Sequence, residues 1–356
     1  MNNVNQKIIN AVIEKAEKVC PDSLALIGIY GSVATGDEYE KSDLDLLILI
    51  QNDEGWQLGT GFILDDRKVG YDIYCTTWNG LRYDSECHHA QISKLMDSKI
   101  VYIKNQQDYD ELCKLREQAK CFLLSEERFQ RVNELVNKAK ISYADACLHE
   151  TLGQVRLGAF GVIYYLVDAV MLFYGEYFKR GTKRMLEELA SLPVETTFIH
   201  NIKRITESKD IFELRALAKN LLLYADQHLK RKKDKAEPSE SLAGTYEEIY
   251  SNWRNKVEKA TRENDCFASF MNMCNLHYMF AEISSDIDIG TFNILEAYNP
   301  DCLEKNIELF DTCLKEYEKA YKAAGIPVRH FSSVDAFVED YLGLLTSKKL
   351  TNIQLD

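Results

Sequence analysis

Two aspartates one residue apart, Asp43 and Asp45, stand at the head of the apolar run Leu46–Ile50. In an extended chain the side chains alternate, so both carboxylates must project from the same face. Two like charges placed so closely repel each other, and a hard cation between them removes the repulsion. Oxygen donors completed by phosphate oxygens suit Mg²⁺. Upstream, Leu24–Tyr30 is apolar enough for a buried strand, and it stops at Gly31, where no Cβ obstructs a close approach. Ser32 then offers a hydroxyl and an amide. The segment from Val33 to about Tyr39 reads as a short helix, whose first N–H groups can cradle phosphate oxygens. Together these residues predict a metal and triphosphate site.

The arrangement resembles the signature of the DNA polymerase β-like nucleotidyltransferase superfamily: a Gly-Ser turn, a short spacer, then Asp-x-Asp leading an apolar strand. Here those residues are Gly31, Ser32, Asp43 and Asp45. The resemblance implies a third carboxylate on a neighbouring strand, and Val69–Tyr74 offers Asp72 in a setting rich in Tyr, Ile and Val. It covers residues 24–75 closely and is architectural beyond about residue 125. By itself either half of the motif is weak, and the structural alternative is a plain turn followed by polar strand-entry residues.

At 356 residues the chain exceeds the length at which a single core keeps growing, so two domains are expected, and 46% hydrophobic content can fill both. The formal charge of −13 argues against a nucleic-acid partner, because binding a phosphate backbone needs positive surface. An acidic surface would favour a cationic small substrate, or it is simply that of a soluble protein. The first residues are polar, and no apolar run approaches the roughly 18 residues of a membrane span. No membrane association and a cytoplasmic location are therefore expected. The ten cysteines contain no Cys-x-x-Cys pair, which disfavours a zinc ribbon or redox dithiol and leaves them as small buried residues. His88 and His89 are adjacent without a third ligand at metal spacing, and read as the polar surface of a helix.

The elements that must hold the site follow from periodicity. Ile8, Ile9, Val12, Ile13, Ala16 and Val19 fall on one helical face that Pro21 closes. Asn52–Asp66, rich in Gly and Asp, marks a loop or hairpin; Arg82–Asp97 is read as helix, Lys99–Lys104 as strand, and Asp108 to about Leu123 as helix. The expected fold class is α+β: a mixed-sheet nucleotidyltransferase domain at residues 1–123, then an all-α helical-bundle domain at 124–356. In the second part, Ser125 with Glu126 and Glu127 signals a helix start. Leu152–Phe178 reads as a central buried helix with Asp168 as its one costly acid, either structurally paired or in a pocket. The run 228–245, basic and then Pro- and Gly-containing, predicts a mobile loop. Tyr246–Ile283 reads as helical, and Ser285–Gly290 repeats the Asp-x-Asp pattern without a Gly-Ser turn before it. Leu303–Ala324 and Val334–Leu345 are expected as closing helices around Gly325 and Pro327.

Tyr177–Arg184 places four cations around Gly181. These are either a solvated helix end or, as in the helical domains of antibiotic nucleotidyltransferases that this segment resembles, groups aimed at a triphosphate. Lys179 and Lys183 are the candidates on that reading, and Ser42 joins Gly31 and Ser32 among the nucleotide-binding residues. The resemblance implies two Mg²⁺ ions held by Asp43, Asp45 and Asp72, ATP or another NTP as co-substrate, and transfer of a nucleoside monophosphate to a small-molecule hydroxyl. Asp72 either completes the metal site or helps take the proton; Asp145, Glu150 and Asp168 are alternatives for the base. Antibiotic adenylyltransferases of the aminoglycoside or lincosamide type are the nearest group, with a monomer or homodimer expected. A protein-modifying transferase of toxin–antitoxin type, a silent nucleotide-sensing module and an RNA-tailing enzyme are the competing readings.

Overall fold

A computed structural model describes residues 3–230, 242–287 and 289–343, the side chains of Asn3, Lys183, Ser285 and Asp286 excepted. The chain divides into two compact units, Met1–Arg231 and Lys232–Asp356. The architecture is α+β, with a mixed sheet near the N-terminus and a mostly helical remainder.

In the first unit the sheet has the order β5-β2-β1-β6, formed by β1 (Leu24–Ile29), β2 (Leu46–Ile50), β5 (Cys75–Thr77) and β6 (Lys99–Ile103). The pairs β1–β2 and β1–β6 are antiparallel, while β2–β5 is parallel. A separate two-stranded ribbon joins β3 (Thr60–Leu64) to β4 (Val69–Ile73). Every residue of β1 and β2 is buried, which explains why both read as continuous apolar runs rather than as alternations.

The two faces of the sheet bury different partners. Helix α1 (Asn3–Val19) lays Ile9, Val12 and Ala16 against Ile27, Ile29, Leu46, Ile48 and Ile50. Leu26, Leu47 and Leu49 face the other way, into a core continuous with α3 (Trp78–Ser85), α5 (Gln106–Leu124), α6 (Arg128–Leu148), α7 (Leu152–Phe173) and α10 (Ile211–His228). This continuous core is why the first unit runs to residue 231. The border expected from the sequence at 123/124 lies in the last turn of α5, which ends at Leu124.

Several local expectations change. The segment 82–97 is two short helices, α3 and α4 (Ser93–Met96), because the chain turns through Cys87 in the left-handed region. Ser125 closes α5 rather than starting α6, whose N-cap is Glu127. Helix α7 stops at Phe173, with Gly175 at φ 71° just beyond it, and the Glu176 N–H returns to the Met171 carbonyl at 2.9 Å. A β-carbon at Gly175 would lie 2.8 Å from the Leu123 carbonyl. Among the described residues α7 is also the one helix long and apolar enough to cross a membrane, and most of it is buried inside the fold.

The second unit is helical in its described residues. The expected helical stretch Tyr246–Ile283 is divided into Thr245–Ile249, a π-helical turn at Tyr250–Arg254, Asn255–Arg262 and Cys266–Asp286. Its core gathers Phe280, Phe310, Tyr317 and Tyr321, and the Thr245 hydroxyl sits 2.6 Å and 2.9 Å from the two tyrosine hydroxyls. Arg254 grips Asp311 through two bonds of 3.0 Å and 3.1 Å. Residues 231–241 of the expected loop and Asp288 of the repeated Asp-x-Asp lie outside the described residues.

Candidate active site

The strand β1 delivers the chain to Gly31, at φ 64°, and α2 (Gly31–Thr35) follows and closes on Gly36 in the left-handed region. Strand β2 begins at Leu46, so Asp43 and Asp45 occupy its extended lead-in, and the Tyr30 N–H bonding the Asp45 carbonyl at 3.1 Å continues the β1 pairing. Leu44 is buried on the α1 side with Leu46 and Ile48, so Asp43 and Asp45 share the opposite face with Leu47. Ser42 closes the preceding turn: its hydroxyl accepts from the Tyr39 N–H at 2.9 Å, and its own N–H donates to the Tyr39 carbonyl at 2.9 Å.

A cleft of about 270 Å³ collects these groups. Gly31, Ser32, Ser42, Asp43 and Asp45 all line it. Arg180, Gly181 and Arg184 complete the wall, because the segment after α7 docks beside α3 and α4: the Phe178 N–H bonds the Ala90 carbonyl at 2.8 Å and the Tyr177 hydroxyl bonds Asp97 at 2.8 Å. Glu188, on α8 (Met185–Ala190), accepts from the Lys179 and Arg180 amides at 2.8 Å and 2.9 Å and fixes the turn.

Arg180 and Arg184 were missed by sequence reasoning, which chose Lys179 and Lys183 from the same run. Asp37 holds both arginines, 3.3 Å from Arg180 Nε and 3.1 Å from Arg184. The available signal was chemical: a guanidinium fork matches phosphate geometry better than an ammonium does. Lys179 instead lines an adjoining cleft, with Nζ 3.8 Å from Glu176 and over the Tyr177 ring. The Lys183 backbone belongs to the turn Thr182–Arg184, and its side chain lies outside the described residues.

Asp72 is not drawn into either cleft. It lies exposed on β4, opposite Gly61 of the ribbon. The parallel register Ile48↔Cys75, Leu49↔Thr76, Ile50↔Thr77, extended back along both chains, sets Asp72 level with Asp45. The ladder ends before that point. Of the alternative bases, Asp145 lines a different cleft beside His149, Glu150 is exposed, and Asp168 is fully buried in α7.

The electrostatics set Asp45 apart. Burial first, and then the neighbouring Asp43 charge, push its carboxyl up to about 6. Two neighbouring carboxylates in a cleft of oxygen donors fit a divalent cation, although among the described residues no group of three or more His, Cys, Asp or Glu is arranged to hold one. Phosphate oxygens and water would have to complete the shell.

Residues 7–118 match the family model described as Nucleotidyltransferase domain. That stretch contains β1, the Gly31 turn, both aspartates and the whole sheet, and it is a nucleotidyltransferase domain of the polymerase β-like superfamily. The protein is accordingly an enzyme of the nucleotidyl-transfer class, whose members use a nucleoside triphosphate and a divalent metal. No curated protein matches the chain.

Proposed function

We propose that this protein moves AMP from ATP onto a hydroxyl of a small molecule such as an aminoglycoside-like antibiotic, releasing pyrophosphate in a Mg²⁺-dependent reaction. On this reading it acts in the cytoplasm, without nucleic acid, and residues 1–123 form the catalytic domain served by the helices that follow.

The observation carrying this reading is the union, in one cleft, of the Asp43–Asp45 pair with Ser32, Arg180 and Arg184. The acid pair marks where metal-held oxygens belong. The arginines and Ser32 mark where β- and γ-phosphate charge belongs. Asp43 and Asp45, with Asp72 if the β2–β5 pairing extends to reach it, would hold the metal ions, which supply charge neutralisation at the entering and leaving oxygens. Gly31 lets the backbone and the Asp45 carboxylate approach each other, Ser42 fixes the turn that presents Asp43, and Lys179 and Lys183 remain proposed contacts at the margin.

Isothermal titration of the purified protein with each non-hydrolysable NTP analogue, with and without Mg²⁺, tests the reading, repeated on the double variant Asp43→Asn/Asp45→Asn. Metal-dependent binding lost in the variant is the expected result. Analogue binding with no pyrophosphate release from the hydrolysable NTP in the presence of aminoglycosides and lincosamides would leave a nucleotide-sensing module, and no binding by folded protein would sink the transfer reading altogether.

A further inference from the structure

A cleft of about 530 Å³ runs along the seam between α6 and α7 and shares no lining residue with the cleft of the acid pair. Two glycines bring the helices together there. A β-carbon on Gly158 would lie 2.7 Å from that of Ala146, and one on Gly161 would lie 2.5 Å from Ser142 Oγ. The helices are therefore antiparallel, with Ser142 level with Gly161. Along the seam α7 exposes Leu157, Phe160 and Tyr164, by 69%, 58% and 40%, at the three- and four-residue spacing of one helical ridge. On α6, Ile141 and Leu148 are exposed two turns apart, on the side of Asp145. One exposed apolar side chain is ordinary, but five flanking a single cleft mark an interaction surface.

The charges on this face select the partner. Lys138 and Asp145 stand seven residues apart on α6, either side of Ile141 and Ser142. Asp145 lines the cleft, and Lys138 Nζ lies 5.9 Å over the ring of Tyr165, which lines it too. Among the described residues neither side chain has an ion-pair partner. A foreign protein would have to bring a matching pair of charges, whereas a second copy already carries it. A two-fold axis crossing α6 at right angles between Ile141 and Ser142 lays two copies of the helix antiparallel, and each Lys138 then faces Asp145 of the partner subunit. Because Ser142 is level with Gly161, the same axis crosses α7 beside Phe160. There it sets Leu157 opposite Tyr164 of the partner subunit and brings the two Phe160 rings together. One symmetry operation thus matches both the charges and the apolar ridge.

We propose that this seam is a homodimer interface, in which α6 and α7 of two subunits pack as a four-helix bundle centred on Phe160. Such a contact uses the same patch on both subunits and closes on itself, so it gives a dimer and not a filament. The aromatic centre supplies affinity, and the Lys138–Asp145 pairs fix the register.

Sedimentation velocity of the full chain from about 1 to about 100 µM measures the association, for wild type, Phe160→Glu, Lys138→Glu, Asp145→Lys and the double variant Lys138→Glu/Asp145→Lys. Far-ultraviolet circular dichroism checks that each is folded. The wild type is expected to dimerise within this range. Phe160→Glu should weaken dimerisation by about 30-fold or more, as loss of a central anchor does. Each single charge reversal sets like charges opposite one another and should weaken it about tenfold, whereas the double variant restores opposite charges and should return to within about threefold of wild type. A wild type that stays monomeric at about 100 µM overturns the proposal. So does a dimer that folded Phe160→Glu leaves intact, or one that the double variant repairs no better than either single reversal, since the subunits then meet elsewhere.

Discussion

The Asp45 carboxylate occupies the space in which a side chain at residue 31 would begin: a β-carbon on Gly31 would lie 1.9 Å from Asp45 Oδ2. Gly31 is also in the left-handed region, at φ 64°. The Gly31→Ala variant therefore meets two penalties, a backbone cost of about 1–2 kcal/mol and a displaced carboxylate. Thermal unfolding is expected to show a modest loss of stability. Pyrophosphate release is expected to fall far more, because the displaced group is the proposed metal ligand.

The raised Asp45 carboxyl makes metal binding pH-dependent. Its affinity near 6 means that the proton must leave before a cation can bind, so the apparent Mg²⁺ affinity should weaken as pH falls below about 6. Thermal shifts with Mg²⁺ at pH 5 and pH 7.5 check this, and equal shifts at both would count against Asp45 as a ligand. Asp45→Asn should remove the pH dependence together with the binding.

Asp37 pairs with both Arg180 and Arg184, so on the proposed reading a triphosphate has to displace it. Removing an arginine should lower NTP-analogue affinity by about tenfold or more, the loss typical of one charge-assisted hydrogen bond. Asp37→Asn removes the Asp37 charge from both guanidinium groups while Arg184 keeps its 2.7 Å pair with Glu187, and the analogue affinity is expected to equal or exceed that of wild type. Titrations of Arg180→Ala, Arg184→Ala and Asp37→Asn under identical salt separate these outcomes.

Asp168 has a different consequence, in stability. It is fully buried, neither oxygen has a well-formed hydrogen bond, and burial pushes its carboxyl up to about 6 despite the opposing influence of His89, the Ala90 amide and Gln91. With a folded value above the unfolded one, the stabilisation tied to its proton is complete below about pH 4 and lost as pH rises through about 6. Asp168→Asn should thus gain on wild type by on the order of 2–3 kcal/mol between pH 4 and pH 7.5. Urea denaturation at both pH values measures the gain, and a loss at pH 7.5 would show that the ionised carboxylate is paired.

Much of the site was legible because its determinants are local. A strand that ends in Gly31, and two acids separated by one residue, fix their own conformation and parity whatever surrounds them, and β1, β6 and α5 form where their apolar spacing places them. Helices that depend on a neighbour were read less well: 82–97 splits at Cys87, and α7 ends at Phe173 because Gly175 must pass close to the Leu123 carbonyl.

The sequence by itself determined the Gly-Ser turn, the acid pair, the α+β class and the cationic run after α7, since each is written in adjacent residues. Only the tertiary structure decided that Arg180 and Arg184 line the cleft, that Asp37 pairs with both, that Asp72 stays on an exposed ribbon, and that Asp84 lines the cleft beside Asp45. The reason is physical: burial and charge pairing between residues distant in the chain depend on which elements pack together, and no local periodicity encodes that choice.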